Sequence, residues 1–94
     1  MKTKKVYRIT ETKYSYTGQL REYFHEGTLE ELVEIYSYTL EVGQSWEYEK
    51  GNKKINRNPK SIESLCKNLY NAKNNAAANG YSGSKFSWEE IIRD

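Results

Sequence analysis

The segment Lys50-Gly-Asn-Lys-Lys-Ile-Asn-Arg-Asn-Pro-Lys-Ser61 carries five cationic side chains and no acid. It leads into an expected helix start, with Asn58 as the capping residue and Pro59 at the first helical position, where a missing N–H costs nothing. Free N–H groups and the dipole at a helix N-terminus favour anions. Lys53, Lys54, Arg57 and Lys60, with the N–H groups after Asn58, are therefore candidate phosphate ligands. Trp46 and Tyr48 precede the loop, and flat rings stack on nucleic-acid bases. The plainer alternative is a solvated surface loop. Gly51 alone does not make a P-loop.

A second candidate feature lies on the following helix. Ser64, Asn68, Asn71 and Asn75 recur at spacings of three and four, forming an uncharged polar stripe. Asn is a mediocre helix former. Its amide both donates and accepts, so it can bond a partner helix or the edge of a bound base. Asn68 and Asn71 are the candidates for base reading, against the alternative of a tolerant surface.

Other chemistry finds little support. His25 and Cys66 are the only His and Cys, whereas zinc sites need several paired ligands. No metal or cofactor is expected. Cys66 falls between Leu65 and Leu69 on an apolar helix face, where a thiol is inert. The only Asp is Asp94. Carboxylates such as Glu30 and Glu34 sit four apart on a charged helix, the ordinary pattern of a solvated face. The chain is not expected to be an enzyme.

The elements that would position these groups follow from periodicity. Lys4 to Tyr16 is β-favouring, with Val6, Arg8, Thr10 and Thr12 on one face and Tyr7, Ile9 and Glu11 on the other. A turn at Tyr16-Thr-Gly-Gln19 leads to a second strand from Leu20 to His25, ended by Gly27. Thr28-Leu-Glu-Glu31 is a capping box. It opens an amphipathic helix over 29–42 through Leu29, Leu32, Val33, Tyr36 and Leu40, with Gly43 as its stop. Gln44 to Lys50 alternates as a short strand would.

A long helix is expected over 59–79. Its apolar face comprises Ile62, Leu65, Cys66, Leu69, Tyr70, the Lys73 stem and Ala76. Gly80 would stop it, and Tyr81 to Ser84 would be flexible. Ser87-Trp-Glu-Glu90, a second capping box, suggests a terminal helical turn, with Trp88, Ile91 and Ile92 packing back.

The 94 residues suit one domain, 1–94. Mean hydropathy is −0.99, yet aromatics reach 14% and include nine Tyr, unlike a disordered chain. One Cys precludes an internal disulfide, and the absence of a long apolar run argues against a signal or membrane span. The expected setting is cytoplasmic. The net charge of +2 hides segregation: residues 20–49 hold eight acids and one Arg, and residues 50–73 seven basic groups and one acid. Such blocks can bring copies together or mark an anion site. The acids would repel a long duplex, so a compact anion suits the chain better than a long nucleic acid.

The expectation is thus an α+β domain, an N-terminal antiparallel sheet packed by helices at about 29–42 and 59–79, assembled as a homo-oligomer. The blocks Gly27–Trp46 and Lys54–Ala72, with Asn79-Gly-Tyr81 and the Val6-Tyr-Arg-Ile-Thr10 strand, resemble a group of small phage and prophage proteins. The closest functional type is the Thoeris anti-defence sponge, a small non-enzymatic oligomer with a sheet followed by helices. That resemblance implies sequestration of a nucleotide immune signal, of cyclic ADP-ribose type or a cyclic oligonucleotide, in the host cytoplasm. The alternative is a protein–protein inhibitor of a host defence nuclease, of anti-CRISPR type, docking through its Tyr-rich surface.

Overall fold

The N-terminal β-favouring run pairs as a hairpin and supplies the centre of the sheet. In the computed structural model, which describes residues 5–14, 18–77 and 84–91, strand β1 is Val6–Tyr14 and β2 is Leu20–Gly27. They pair antiparallel, with Ile9 opposite His25 and Glu11 opposite Tyr23. Gly18 turns with φ at 79°, a conformation that only glycine adopts without strain. Tyr16 and Thr17 of the expected turn, and the expected strand ends at Lys4 and Tyr16, lie outside the described residues.

Three helices follow: α1 at Leu29–Ile35, α2 at Ser37–Ser45 and α3 at Ile62–Ala77. A third strand, β3, runs Ser84–Ile91. The sheet order is β2-β1-β3, antiparallel throughout, so the architecture is α+β as expected.

β3 corrects the expectation of a terminal helical turn. Ser84, Phe86 and Trp88 alternate with Lys85, Ser87 and Glu89, and the first set faces the same side as Ile9 and Glu11. A capping box contributes about 1 kcal/mol locally. Pairing β3 along the open edge of β1 satisfies a row of backbone groups, and tertiary order wins. The expected places of Ile92, Gly80 and Tyr81 lie outside the described residues.

The capping box of α1 forms as expected: the Glu31 N–H donates to Thr28 Oγ1 at 3.3 Å and the Thr28 N–H to Glu31 Oε1 at 3.0 Å. The single helix expected over 29–42 instead bends at Tyr36, with φ −95° and ψ 8°. The ladder carries across the bend, because Tyr36 N–H reaches Leu32 O at 3.0 Å and Leu40 N–H reaches Tyr36 O at 3.1 Å. Bending seats the Tyr36 ring edge-on to both His25 and Phe86. The buried Tyr36 hydroxyl has no hydrogen-bond partner among the described residues, and burial followed by the nearby Glu11 raises its pKa.

Gly43 does not stop the helix; it lies inside α2. The expected strand over Gln44 to Lys50 is also absent. The chain leaves α2 through successive turns, with Trp46 N–H on Gly43 O, Glu47 N–H on Gln44 O and Glu49 N–H on Trp46 O. These three-residue bonds tighten a helix end.

The long helix starts three residues later than expected. The Ser64 N–H donates to Ser61 Oγ at 3.1 Å and the Leu65 N–H to Ser61 O at 2.9 Å, so Ser61 is the capping residue. Pro59 is buried short of the helix, beside Leu29 and Val33.

The core lies between the sheet and the helices. Ile9 enters from β1, Leu32, Tyr36 and Leu40 from α1, the bend and α2, Ile55 from the basic loop, and Ile62, Leu65, Cys66, Leu69 and Ala72 from α3. Burying each of these Leu side chains contributes about 2 kcal/mol. Tyr70, expected on the apolar face of α3, is exposed instead. Across the far side of the sheet, Arg8 of β1 ties both neighbouring strands. Its guanidinium pairs with Glu26 at 2.6 Å and Glu89 at 2.9 Å, and lies over the Phe24 ring.

Burial governs the lone cysteine. Cys66 is a core residue, and desolvation pushes its thiol up to about 12. Native Cys66 is expected to label with a thiol reagent at pH 7.4 roughly 1,000-fold more slowly than the unfolded chain, the factor by which the higher pKa depletes thiolate. Comparable rates in native buffer and in urea would contradict this placement.

Candidate functional site

The basic loop is held by side chains that the sequence left without an assigned partner. Gly51, with φ at 89°, redirects the chain after α2. Asn75 of α3, 1% exposed, then clamps Lys53: its Oδ1 accepts the Lys53 N–H at 2.9 Å, and its Nδ2 donates to Lys53 O at 2.8 Å. The same Nδ2 donates to Gly43 O at 3.1 Å, tying the loop to α2. Two turns earlier on α3, Asn68 Oδ1 accepts the Asn56 N–H at 2.8 Å. The Asn68 Nδ2 donates to Ser64 O at 2.8 Å. Glu47 Oε2 accepts the Ile55 N–H at 2.9 Å, while the Ile55 side chain enters the core.

The amide stripe thus grips its own loop. Asn68 and Asn75 stand seven residues apart, two helical turns, which matches an extended loop running along α3. Their spacing was visible in the sequence. Their partner was not, because backbone N–H groups carry no sequence signature.

These bonds alter the expected anion site. The N–H groups of Lys53, Ile55, Asn56 and Asn58 are all engaged, the last by Asn56 Oδ1 at 2.9 Å. Asn58 therefore does not cap a helix, and the N–H groups after it do not open α3. An anion held here meets chiefly the side chains, since most of the loop N–H groups are taken. Lys53, Lys54, Arg57 and Lys60 are exposed. Arg57 lies 3.9 Å from Glu41 of α2, a solvent-screened contact worth little.

Lys54, Arg57, Asn58 and Asn68 share one open groove of about 630 Å³, joined by Gln44, Ile55 and Asn56. Gln44 and Asn56 had drawn no attention in the sequence; as single amides outside any periodic stripe they gave no signal. Lys60 lines a smaller depression of about 330 Å³ with Asn58, Pro59 and α1 residues. Trp46 and Tyr48 do not line the groove. They stack on each other, 6.4 Å between centroids and 22° between planes, and Tyr48 is 74% exposed. Lys53 and Asn71 also lie outside the groove lining.

The arrangement can hold and orient an anion. It offers exposed cations on a hydrogen-bonded backbone, with amides between them. Among the described residues no three His, Cys, Asp or Glu side chains cluster as metal ligands, and no helix is long and apolar enough to cross a membrane. Fold and groove together define a small α+β domain with a rigid, cation-bearing loop. Compared with protein-family models, curated proteins and solved structures, the chain shows no significant match.

Proposed function

We propose that the chain is a non-enzymatic binding protein that captures a compact, phosphate-bearing nucleotide at the groove beneath residues 54–58. The observation that carries this reading is the loop's anchorage by Asn68, Asn75 and Glu47, which presents Lys54 and Arg57 on one groove. A loop already ordered loses little further entropy on binding. Cations make charge-assisted bonds to phosphate oxygens, and a groove of several hundred Å³ suits a ligand of nucleotide size. Gln44, Asn56 and Asn58 offer amides for a base or ribose.

The resemblance to phage counter-defence sponges gives this activity a setting. The captured species would be a nucleotide immune signal in the host cytoplasm, of cyclic ADP-ribose type or a cyclic oligonucleotide. Capture works by mass action and releases the ligand unchanged. Assembly into a homo-oligomer belongs to the same proposal.

Isothermal titration with a panel of cyclic ADP-ribose isomers and cyclic dinucleotides tests the reading. Heat-released ligand should have its original mass. The Lys54→Ala, Arg57→Ala double variant should bind at least roughly 100-fold more weakly, since each of two charged hydrogen bonds contributes about 1.5–3 kcal/mol. Undiminished binding by that variant would remove the groove from consideration.

A second reading has its own support. Leu20 and Phe24 of β2 stand 59% and 61% exposed on the sheet face opposite the helices. Exposed aromatics at a flat surface suit protein docking. A protein–protein inhibitor of a host defence nuclease would recover that nuclease in stoichiometric amount from host lysate, which a signal-capturing protein does not do.

A further inference from the structure

Away from the basic loop, a cleft of about 400 Å³ lies between α2 and α3, with Lys13 of β1 at its edge. It shares no lining residue with the loop groove. Its floor is apolar and low: Val42 of α2, with Ala72 and Ala76 one turn apart on α3. Ala72 and Ala76 are almost wholly buried, so the accessible apolar surface here is chiefly that of Val42 and the Tyr38 ring. The Tyr38 ring, 75% exposed, stands at the rim beside Thr39.

The charges here do not balance. Lys13 of β1 and Lys73 of α3 both line the cleft. The Lys73 ammonium lies 3.7 Å from Glu11 Oε2, and that carboxylate is buried and accepts the Ser84 hydroxyl at 2.7 Å. Glu11 is thus committed to Lys73 and Ser84. Lys13 sits 5.6 Å over the Tyr23 ring and has no carboxylate within ion-pair distance among the described residues. Two ammonium groups line the cleft and one carboxylate serves Lys73, while Arg21, directly across from Lys13 in the hairpin, adds further positive charge, which leaves net positive charge beside an apolar floor.

From this juxtaposition we infer that the cleft is a second ligand site, for a flat organic monoanion. The ring of such a ligand lies on Val42 and against the Tyr38 ring, with Ala72 and Ala76 closing the floor beneath, and its carboxylate meets Lys13. Burial of the ring supplies affinity and the lysine supplies orientation. A single negative charge completes the neutrality of the Glu11, Lys73 and Lys13 cluster. A bare phosphate would leave the apolar floor uncovered, which sets this cleft apart from the loop groove.

The test is an ¹⁵N-¹H correlation titration of the whole chain with 1-naphthoate and with its neutral counterpart, 1-naphthamide. Naphthoate should shift the amides of Thr39, Val42, Ala72 and Ala76, leave residues 54–58 unmoved, and bind at least about tenfold more tightly than naphthamide, as expected from one partly desolvated ion pair. Lys13→Gln should erase that preference while leaving the fold intact, and Thr39→Trp should block both probes by filling the cleft. Equal affinity for the two probes, no shift at the cleft, or naphthoate shifts confined to residues 54–58 would each overturn the inference. The two-probe comparison needs no variant, so a misfolded Thr39→Trp protein does not rescue it. Nucleotide binding at residues 54–58 stands or falls separately.

Discussion

Asn75→Ala is expected to cost about 3 kcal/mol of folding stability, through two part-buried backbone groups that lose their partner. The Lys53 N–H and Lys53 carbonyl both bond the Asn75 amide, and that amide is 1% exposed. Truncation removes both of these bonds at once. The Gly43 carbonyl loses less, because it also accepts the Trp46 N–H at 3.2 Å. For a domain of this size the loss should lower Tm by about 15 °C.

Asn75→Leu should fare no better. It restores volume but leaves the same two groups unbonded. Asn71→Ala, at a half-buried neighbouring position on α3, should stay within about 0.5 kcal/mol. Urea unfolding of the three variants gives the comparison directly. Hydrogen exchange adds a local signature: the Lys53 and Asn56 amides should lose protection in Asn75→Ala before the α3 amides do. An Asn75→Ala protein within about 1 kcal/mol of the parent would show that the clamp contributes nothing, and the rigid-loop basis of nucleotide capture would go with it.

Gly43→Ala sets two physical effects against each other. Helix propensity alone favours alanine over glycine by about 1 kcal/mol inside a helix. Packing opposes it. A Cβ built on Gly43 would stand 2.2 Å from Ala72 Cβ and 2.4 Å from Ala72 Cα. The second clash is with backbone, so no rotamer change relieves it. Helices α2 and α3 would have to move apart, which also stretches the Asn75 bond to Gly43 O.

The steric effect should dominate, with a net loss of about 3 kcal/mol, at the upper end for overpacking. Adding Ala72→Gly removes the clashing methyl group but leaves the α3 backbone where it is, so rescue should be partial. A double-mutant cycle by thermal and urea unfolding would expose that coupling. A stabilised Gly43→Ala protein would mean that α2 and α3 are not closely packed.

The two variants show where sequence inference ran out. Gly43 looked like a helix stop because glycine commonly ends helices. Its actual role is to let two helices touch, and the need for that depends on Ala72, far along the chain. Asn75 looked like part of a stripe awaiting a partner helix or a base. Its partner is the backbone of the chain's own loop, whose position depends on Gly51 and on Ile55 entering the core. The candidate groove shares this history. Lys54 and Arg57 were evident as charges, but Gln44 joined them only when α2 and the loop were folded together.

Elements written in short-range chemistry could be read directly from the chain. The β1–β2 hairpin follows from residue type and alternation, the α1 cap from Thr28 and Glu31, and the α3 core face from Ile62, Leu65, Cys66 and Leu69. Each rests on residues within a turn or a hairpin of one another. Tertiary structure decided the rest: Ser84–Ile91 as a strand, the bend at Tyr36, the start of α3 at Ile62 rather than Pro59, and the capture of Asn68 and Asn75 by the loop. The reason is one of scale. A cap or a turn preference contributes about 1 kcal/mol, whereas closing a sheet edge or burying an amide against backbone involves several groups at once. Those groups meet only after distant segments pack.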